Sequence, residues 1–508
     1  MTATGLSYYS DPGNYEDHAR QEVKYTTCYM CACRCGVKVY LEDGKLRYLK
    51  GNPDHPVNQG VLCGKGSSGI MKQYSRAKLR KPLLRKPGTE RGAGEFREIS
   101  WDEALQMLTE RLEKIRSTDP RKLAFFTGRD QMQALTGLWA TQFGTPNFAA
   151  HGGFCSVNMA AAGLYTTGSS FWEFGTPDWD RTKYLLMWGV AEDHDSNPIK
   201  IGLEKVKRRG ARFVAINPVR TGYAAIADEW VGIRPGTDGM LALAMVHVLL
   251  DRELFDWEYL VRYTNAPYLV IQAPGHEDHG LFYRTLRTDD PLVGIPMVWD
   301  QHTGEPVRHD QVETAPALFG EFTGPNGERL KTVMTLMAER YLDEAYSPEA
   351  AEPITGIPAE TIERLALEMA HVAFRETIEI ECEWTDWAGR KQDRFVGRPV
   401  SMHAMRGISA HSNGFHTCRA IHFLQMLLGT IDVPGGFRSK PPFPRPVPPS
   451  HAPAGGGIQT AICPDTPLDG APLGFPQEPF DLLYDDEGKP VRIDKAYTWE
   501  APLALHGL

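Results

Sequence analysis

Four cysteines fall at 28, 31, 33 and 35 in the stretch "CYMCACRC", and a fifth follows at Cys63 in "VLCGKG". Thiols this dense bind either a metal or one another, and the choice dictates the local fold. The N-terminal residues "MTATGLSYYSDPGNYEDHARQE" show no basic start, apolar core or twin arginine, so the expected compartment is the cytoplasm. Thiols there stay reduced, which puts disulfides last. Spacing then separates the two metal readings. Cys28-x2-Cys31-x3-Cys35 is a tight triple with Cys63 as a distant single, a pattern that wraps one face of a cubane iron–sulfur cluster and closes it with a fourth ligand. Structural zinc usually takes two separated pairs, so a cluster ranks ahead of zinc.

The residues between Cys35 and Cys63 support a small β-rich unit. "GVKVYLEDGKLRYLK" (36–50) alternates apolar and polar residues around a turn at 42–45, which is a hairpin signature. Beyond it, Ser100 with Glu103 three residues on reads as an N-cap for the helix that opens in "ISWDEALQMLTERLEKIRS". Strand-like runs at 122–130, 184–198, 211–222 and 229–239 each end in a polar or glycine-containing loop, with helices at 199–209 and 238–250. The expected fold is therefore multi-domain α/β. A small N-terminal β-rich iron–sulfur domain is followed by doubly wound α/β domains, with ligands beyond the carboxyl ends of the strands.

A chain of 508 residues divides into two to four domains. The expected boundaries are 24–80 for the iron–sulfur domain and 81–145 plus 370–440 for a first, discontinuous α/β domain. Residues 146–369 form a second α/β domain with an irregular, lid-like insertion at 265–330. Residues 441–508 begin with a Pro- and Gly-rich extension and show no closing element, so the chain is expected to stop before a natural domain end. The longest apolar runs, such as "LALAMVHVLL" at 241–250, are too short to cross a bilayer, and no direct membrane insertion is expected. A net charge of −9 argues against general binding to nucleic acid. No G-x-G-x-x-G follows a strand, so no ordinary nicotinamide or flavin site is announced.

The triple-plus-single cysteines, Cys-Gly-Lys-Gly at 63–66, "YSRAKLRKPLLRK" (74–86) and "ISWDEAL" (99–105) occur in an order that resembles one family. It is that of the molybdenum and tungsten bis-molybdopterin guanine dinucleotide oxidoreductases, and the resemblance covers nearly all of 24–440. It implies a 4Fe–4S cluster on Cys28, Cys31, Cys35 and Cys63, leaving Cys33 without an assigned role. It implies that Lys65 lies between cluster and pterin. "WGVAEDHDSNPIK" (188–200) resembles a loop that places Gly189, Asn197 and Pro198 against one guanine dinucleotide. "INPVRTG" and "IRPGTDGML" resemble the next two elements, with Asn217, Arg220, Thr221, Gly236 and Asp238 as contacts. Arg220 and Thr221 suit a pyrophosphate, and Asp238 can accept from guanine N1–H and N2–H together. The bland alternatives are a helix cap for Asp238 and a common turn for Asn197-Pro198. Segment 405–437 resembles support for the second pterin, with Ser409, His411 and Asn413 as contacts.

By the same resemblance Cys155 in "HGGFCSVN" is the molybdenum or tungsten ligand, against the plain reading of a buried inert cysteine. Cys382, Cys418 and Cys463 have no such support. Formate dehydrogenases of the family place a histidine after the metal-bound residue, and here Ser156 stands in that position. The segments at 28–80 and 151–250 are most similar to the cytoplasmic sulfite dehydrogenase catalytic subunits. That implies oxidation of a small inorganic anion at the cytoplasmic face, with two partners: an iron–sulfur electron-transfer subunit, and a quinone-reactive subunit in the membrane. Polysulfide or thiosulfate reductases and formate dehydrogenases are the alternatives, and a non-catalytic electron relay is the alternative of a different class. His151, Arg129, Arg406 and His411 are candidates to meet the anion, each with a plain structural or cofactor role as the alternative.

Overall fold

The computed structural model describes residues 21–31, 33–127, 133–150, 157–167, 176–190, 197–220, 222–285, 294–311, 314–404 and 406–438. The described residues of Met1–His151 and Glu192–Ile201 form one compact unit, and those of Gly152–Ala191 and Gly202–Arg445 a second.

The first unit opens with a three-stranded antiparallel sheet in the order Gln21–Thr27, Gly36–Glu42, Lys45–Gly51. The last two strands are the expected hairpin. Asp43 (φ 51°) and Gly44 (φ 72°) take the left-handed conformations that a tight turn between twisted strands requires. The helices Gly64–Ser67 and Gly69–Tyr74 follow, and the Leu46 amide donates to the Tyr74 hydroxyl at 2.6 Å, tying the second helix to the sheet. Ser100 caps Trp101–Thr118 as expected, its hydroxyl accepting from the Glu103 amide at 3.0 Å. Further on, Phe125–Thr127 and Phe148–Ala150 pair in parallel.

The second unit is built on a four-stranded, wholly parallel sheet in the order Glu229–Val231, Arg212–Ile216, Tyr184–Trp188, Val400–Ala404. Tyr184–Trp188 and Val400–Ala404 are buried at every position, as strands covered on both faces must be. Each fully buried large apolar side chain stabilises the fold by roughly 1.5–3 kcal/mol. The helix Gly414–Leu427 is buried along most of its length and packs against Asp238–Asp251 and Val157–Thr167.

Two expectations differ from what is found. Residues 370–440, expected to group with 81–145, contribute Val400–Ala404, which pairs along its whole length with Tyr184–Trp188. This grouping depends on a pairing between distant segments that leaves no local trace in sequence. Residues 265–330, expected to be irregular, hold a three-stranded sheet, Leu269–Ile271, Arg329–Thr332 and Glu321–Thr323, and the hairpin Met297–Asp300 with Glu305–Arg308. Their strands of three or four residues are too short to show periodicity. Among the described residues no helix is long and apolar enough to cross a membrane.

Candidate functional site

In the first unit the cysteine loop is the closed end of the first hairpin. Thr27 pairs with Gly36, and the Cys28 amide donates to the Cys35 carbonyl at 2.8 Å, so Cys28 and Cys35 face each other across its mouth. Cys28, Cys31, Cys33 and Cys63 are thiols of intermediate exposure, and Cys35 is buried. Cys63 is brought in by a residue that sequence alone does not single out. Asn58 is fully buried; its Oδ1 accepts from the Gly36 amide at 2.8 Å, and its Nδ2 donates to the carbonyls of Gly36 (3.1 Å) and Val61 (2.8 Å). One side chain thus clamps the residue after Cys35 to the segment that leads into Cys63. The helix that follows Cys63 continues toward Cys28: a Cβ on Gly66 would lie 3.6 Å from Cys28 Sγ. Among the described residues no group of three or more His, Cys, Asp or Glu is drawn together around a single ion. The convergence of Cys28, Cys35 and the Cys63 helix on one loop fits a cluster held by well-separated thiolates. Lys65 lies in the helix after Cys63 and is exposed.

In the second unit the sheet order places a topological switch between Tyr184–Trp188 and Val400–Ala404, because the chain leaves the first of these toward one side and returns to the other. Open α/β sheets bind ligands at that point, beyond the carboxyl ends of the strands. Gly189 ends the first strand in the left-handed region (φ 64°), and its amide donates to the Ile216 carbonyl at 2.9 Å. Gly407 meets it from the other side: a Cβ there would lie 2.5 Å from the Gly189 carbonyl oxygen. Asn217, at the end of the neighbouring strand, is buried and donates through Nδ2 to the Val190 carbonyl at 3.2 Å, so half of its amide joins strand ends. Arg220 is exposed.

Gly236, Asp238, Ser409, His411 and Asn413 come together in this unit. Asp238 opens the helix Asp238–Asp251 and is buried. Burial raises its carboxyl pKa above the usual range, opposed by its own backbone N–H and by the His411 imidazole. Gly236 adopts φ 80°, with the His411 ring close beside it. The Asn413 Nδ2 donates to the Gly236 carbonyl at 2.9 Å. Asn413 is also the N-cap residue of Gly414–Leu427, yet makes no side-chain cap bond. The two helices that start at this site touch in their first turns, where a Cβ on Gly239 would lie 2.9 Å from Thr417 Oγ1. Asn158, likewise silent in sequence, donates through Nδ2 to the carbonyls of Ser409 (2.8 Å) and His411 (3.2 Å). The helix that follows Cys155 in sequence is thereby fastened to the 409–411 loop. A buried carboxyl at a helix start, beside glycines that let the main chain approach closely, suits a guanine's paired donors with its phosphates nearby.

Arg406 starts the short helix Arg406–Ser409 and is exposed. Asn197 opens the helix Asn197–Arg208 with Pro198 next, an ordinary place for proline. The Asn197 side chain, Arg129, His151, Cys155 and Thr221 lie outside the described residues. Cys418 is buried and its thiol pKa is pushed up by that burial, as for an inert core cysteine; Cys382 is exposed.

Residues 78–445 match the family described as molybdopterin oxidoreductase. The chain belongs to the molybdopterin oxidoreductase family. Residues 21–75 match its Fe4S4 domain, and the two matches together indicate a molybdenum–pterin cofactor and a 4Fe–4S cluster. This molybdopterin oxidoreductase is 56% identical over 503 residues to a sulfite dehydrogenase subunit of Allochromatium vinosum, covering 98% of the chain and 52% of that relative. It is 30% identical to the thiosulfate reductase molybdopterin-containing subunit PhsA of Salmonella typhimurium over 48% of the chain and 32% of the relative. It is 24% identical to the formate dehydrogenase-O major subunit of Escherichia coli over 81% and 39%. The chain thus spans about half the length of the first of these relatives and less of the others. Acetylene hydratase from Pelobacter acetylenicus shares the fold, with a TM-score of 0.51 and 19% identity over 80% of this chain and 43% of that one.

Proposed function

We propose that this chain belongs to a catalytic subunit that oxidises sulfite to sulfate and passes the electrons through a 4Fe–4S cluster to an iron–sulfur partner subunit. The observation that supports this most is the 56% identity to the Allochromatium sulfite dehydrogenase subunit, sustained over 98% of the chain and through both cofactor segments. The thiosulfate reductase and the formate dehydrogenase reach 30% and 24%. Ser156 after Cys155, where formate enzymes are expected to carry histidine, points the same way.

Sulfite becomes sulfate by gaining one oxygen from water, with release of two electrons and two protons. A bound molybdenum or tungsten bis-pterin supplies the centre for oxygen-atom transfer and accepts the electron pair. The chain's own residues hold that group and its substrate. Cys155 is the metal ligand. Asp238 takes guanine N1–H and N2–H, and Arg220 with Thr221 meets a pyrophosphate. Gly189 and Asn217 would make dinucleotide contacts in the second unit, and Asn197 and Pro198 in the first; Gly236, Ser409, His411 and Asn413 would shape the loops beside Asp238. Arg406 and His151 offer positive charge and donors to a sulfur oxyanion, whose two charges need fixed partners when water is excluded. Lys65 would supply a positive charge beside the cluster. A cytoplasmic location and a membrane quinone-reactive subunit belong to the same reading.

The test is reduction of the purified, complete subunit by sulfite, thiosulfate, polysulfide and formate in parallel, followed by stopped-flow absorbance of the cluster. Sulfite should bleach it fastest. Bleaching by formate alone overturns the substrate, and iron without molybdenum or tungsten on metal analysis overturns the enzyme.

A further inference from the structure

The segment that follows the cysteine loop carries a charge of its own. From His55 to Thr89 there is no Asp or Glu, in a chain whose net charge is −9. Within it Lys72, Arg76, Lys78, Arg80 and Lys81 fall in ten residues, and all five are exposed. Lys81 reaches Glu98 at 3.5 Å, a pair more than 60% exposed on both sides, and Lys78 donates to Gln73 at 3.2 Å. Among the described residues Lys72, Arg76 and Arg80 have no carboxylate within ion-pair distance. Between the cations stand exposed apolar side chains: Met71 (73% exposed), Tyr74 (52%) and Leu79 (70%).

This mixture distinguishes the partner. Met, Tyr and Arg are the residues enriched at protein–protein interfaces. A polyanion that read charge alone would leave Met71, Tyr74 and Leu79 in water. An anionic membrane favours a long amphipathic helix with one continuous apolar face, whereas the helix here spans only Gly69–Tyr74. The strip also lies close to the cluster loop in the chain: its helix begins six residues after Cys63, and Gly66 between them sits beside the Cys28 sulfur.

We propose that the strip 71–81 is the docking surface for an electron-carrier protein with an acidic face, and that electrons leave the cluster there. The inference rests on the reading that this protein hands electrons onward. Opposite charge steers such a partner and raises its association rate by roughly 10- to 1,000-fold at low ionic strength.

The test uses the complete subunit with its cofactors. The cluster is reduced with dithionite, desalted, and mixed in a stopped-flow instrument with soluble cytochrome b5, a small acidic haem protein, or with basic cytochrome c. The fourfold variant K72E/R76E/K78E/R80E is compared with wild type, and K72Q/R76Q/K78Q/R80Q replaces it if charge reversal prevents folding. In wild type the rate with the acidic acceptor should fall steeply with salt. The variant should lose at least about tenfold of it at low salt and lose the salt dependence, while the rate with basic cytochrome c stays equal or rises and the cluster absorbance is unchanged. Equal rates with the acidic acceptor for wild type and variant overturn the proposal. So does binding to phosphatidylserine vesicles that the variant loses while its electron transfer is unchanged, which would make the strip a membrane contact. Failure of Lys72 and Lys78 to acetylate in the isolated protein overturns it too, since the strip would then be covered. Because dithionite supplies the electrons, failure of sulfite as substrate leaves this outcome readable.

Discussion

The side-chain amide of Asn413 donates to the carbonyl of Gly236 at 2.9 Å, across 177 residues of chain. It joins a loop proposed to meet a guanine end of the cofactor to one proposed to support the second pterin, and it does so with a side chain that stands at a helix N-cap without capping. Asn413→Ala removes one exposed hydrogen bond, at a cost to folding of about 1 kcal/mol. The larger effect should fall on cofactor retention: molybdenum per protein drops, while iron per protein stays at the wild-type level.

Asp238 should control both guanine recognition and a pH-dependent term. Its carboxyl pKa is raised by burial, so the cofactor-free fold holds that proton more tightly than the unfolded chain does. Its favourable contribution is full below the ordinary aspartate pKa, and is lost as pH rises through the raised value. Cofactor-free Asp238→Asn should therefore show a flatter Tm across that acid window than wild type. In the loaded protein the guanine donors favour the carboxylate, and Asp238→Asn should lose about 1.5–3 kcal/mol of binding, seen as dinucleotide released on desalting.

Asn58 is expected to matter for the cluster although it is no ligand. Asn58→Leu removes this partner from the Gly36 amide and the Val61 carbonyl, while the Gly36 carbonyl keeps the Asn52 amide; the orphaned buried amide alone should cost about 1–3 kcal/mol. The visible absorbance of the cluster and its iron content should fall together. Among the cysteines, Cys33→Ala should keep the cluster and Cys35→Ala should lose it; the reverse outcome would place the ligand register two residues off.

A purely structural test lies at Asp256. Its carboxylate accepts from Arg398 Nε at 2.8 Å, with Nη2 at 2.7 Å, and caps the helix Trp257–Tyr263 by accepting from the Tyr259 amide at 3.0 Å. Arg398→Leu leaves that nearly buried charge facing apolar surroundings, and should cost about 3–5 kcal/mol in chemical denaturation. Adding Asp256→Asn, which keeps a capping oxygen, should recover part of the loss.

What the sequence made legible was local. The Asp43-Gly44 turn, the Ser100 cap and the alternation of buried strands with helices each follow from residues within a few positions of one another. The cysteine spacing is legible for the same reason. Asn58 and Asn158 were not, because their partners are main-chain carbonyls and amides on other segments, and neither residue type nor spacing announces them. The partnership of Val400–Ala404 with Tyr184–Trp188 is hidden likewise, since both are plain buried strands and only the folded sheet says which are neighbours. Asp238 could be read two ways from sequence; in the fold it is the buried first residue of its helix, with Thr237 at the N-cap position.

The meeting of Gly189 with Gly407 limits how such a protein can diversify. Where two backbones touch so closely that one added methyl group would collide with a carbonyl, substitution has no material to work on. The backbone beyond these strand ends is fixed in shape at that contact. New substrates must be accommodated from the rim, by the side chains of the loops that stand above it, and relatives with different chemistries should diverge there while keeping this seam unaltered.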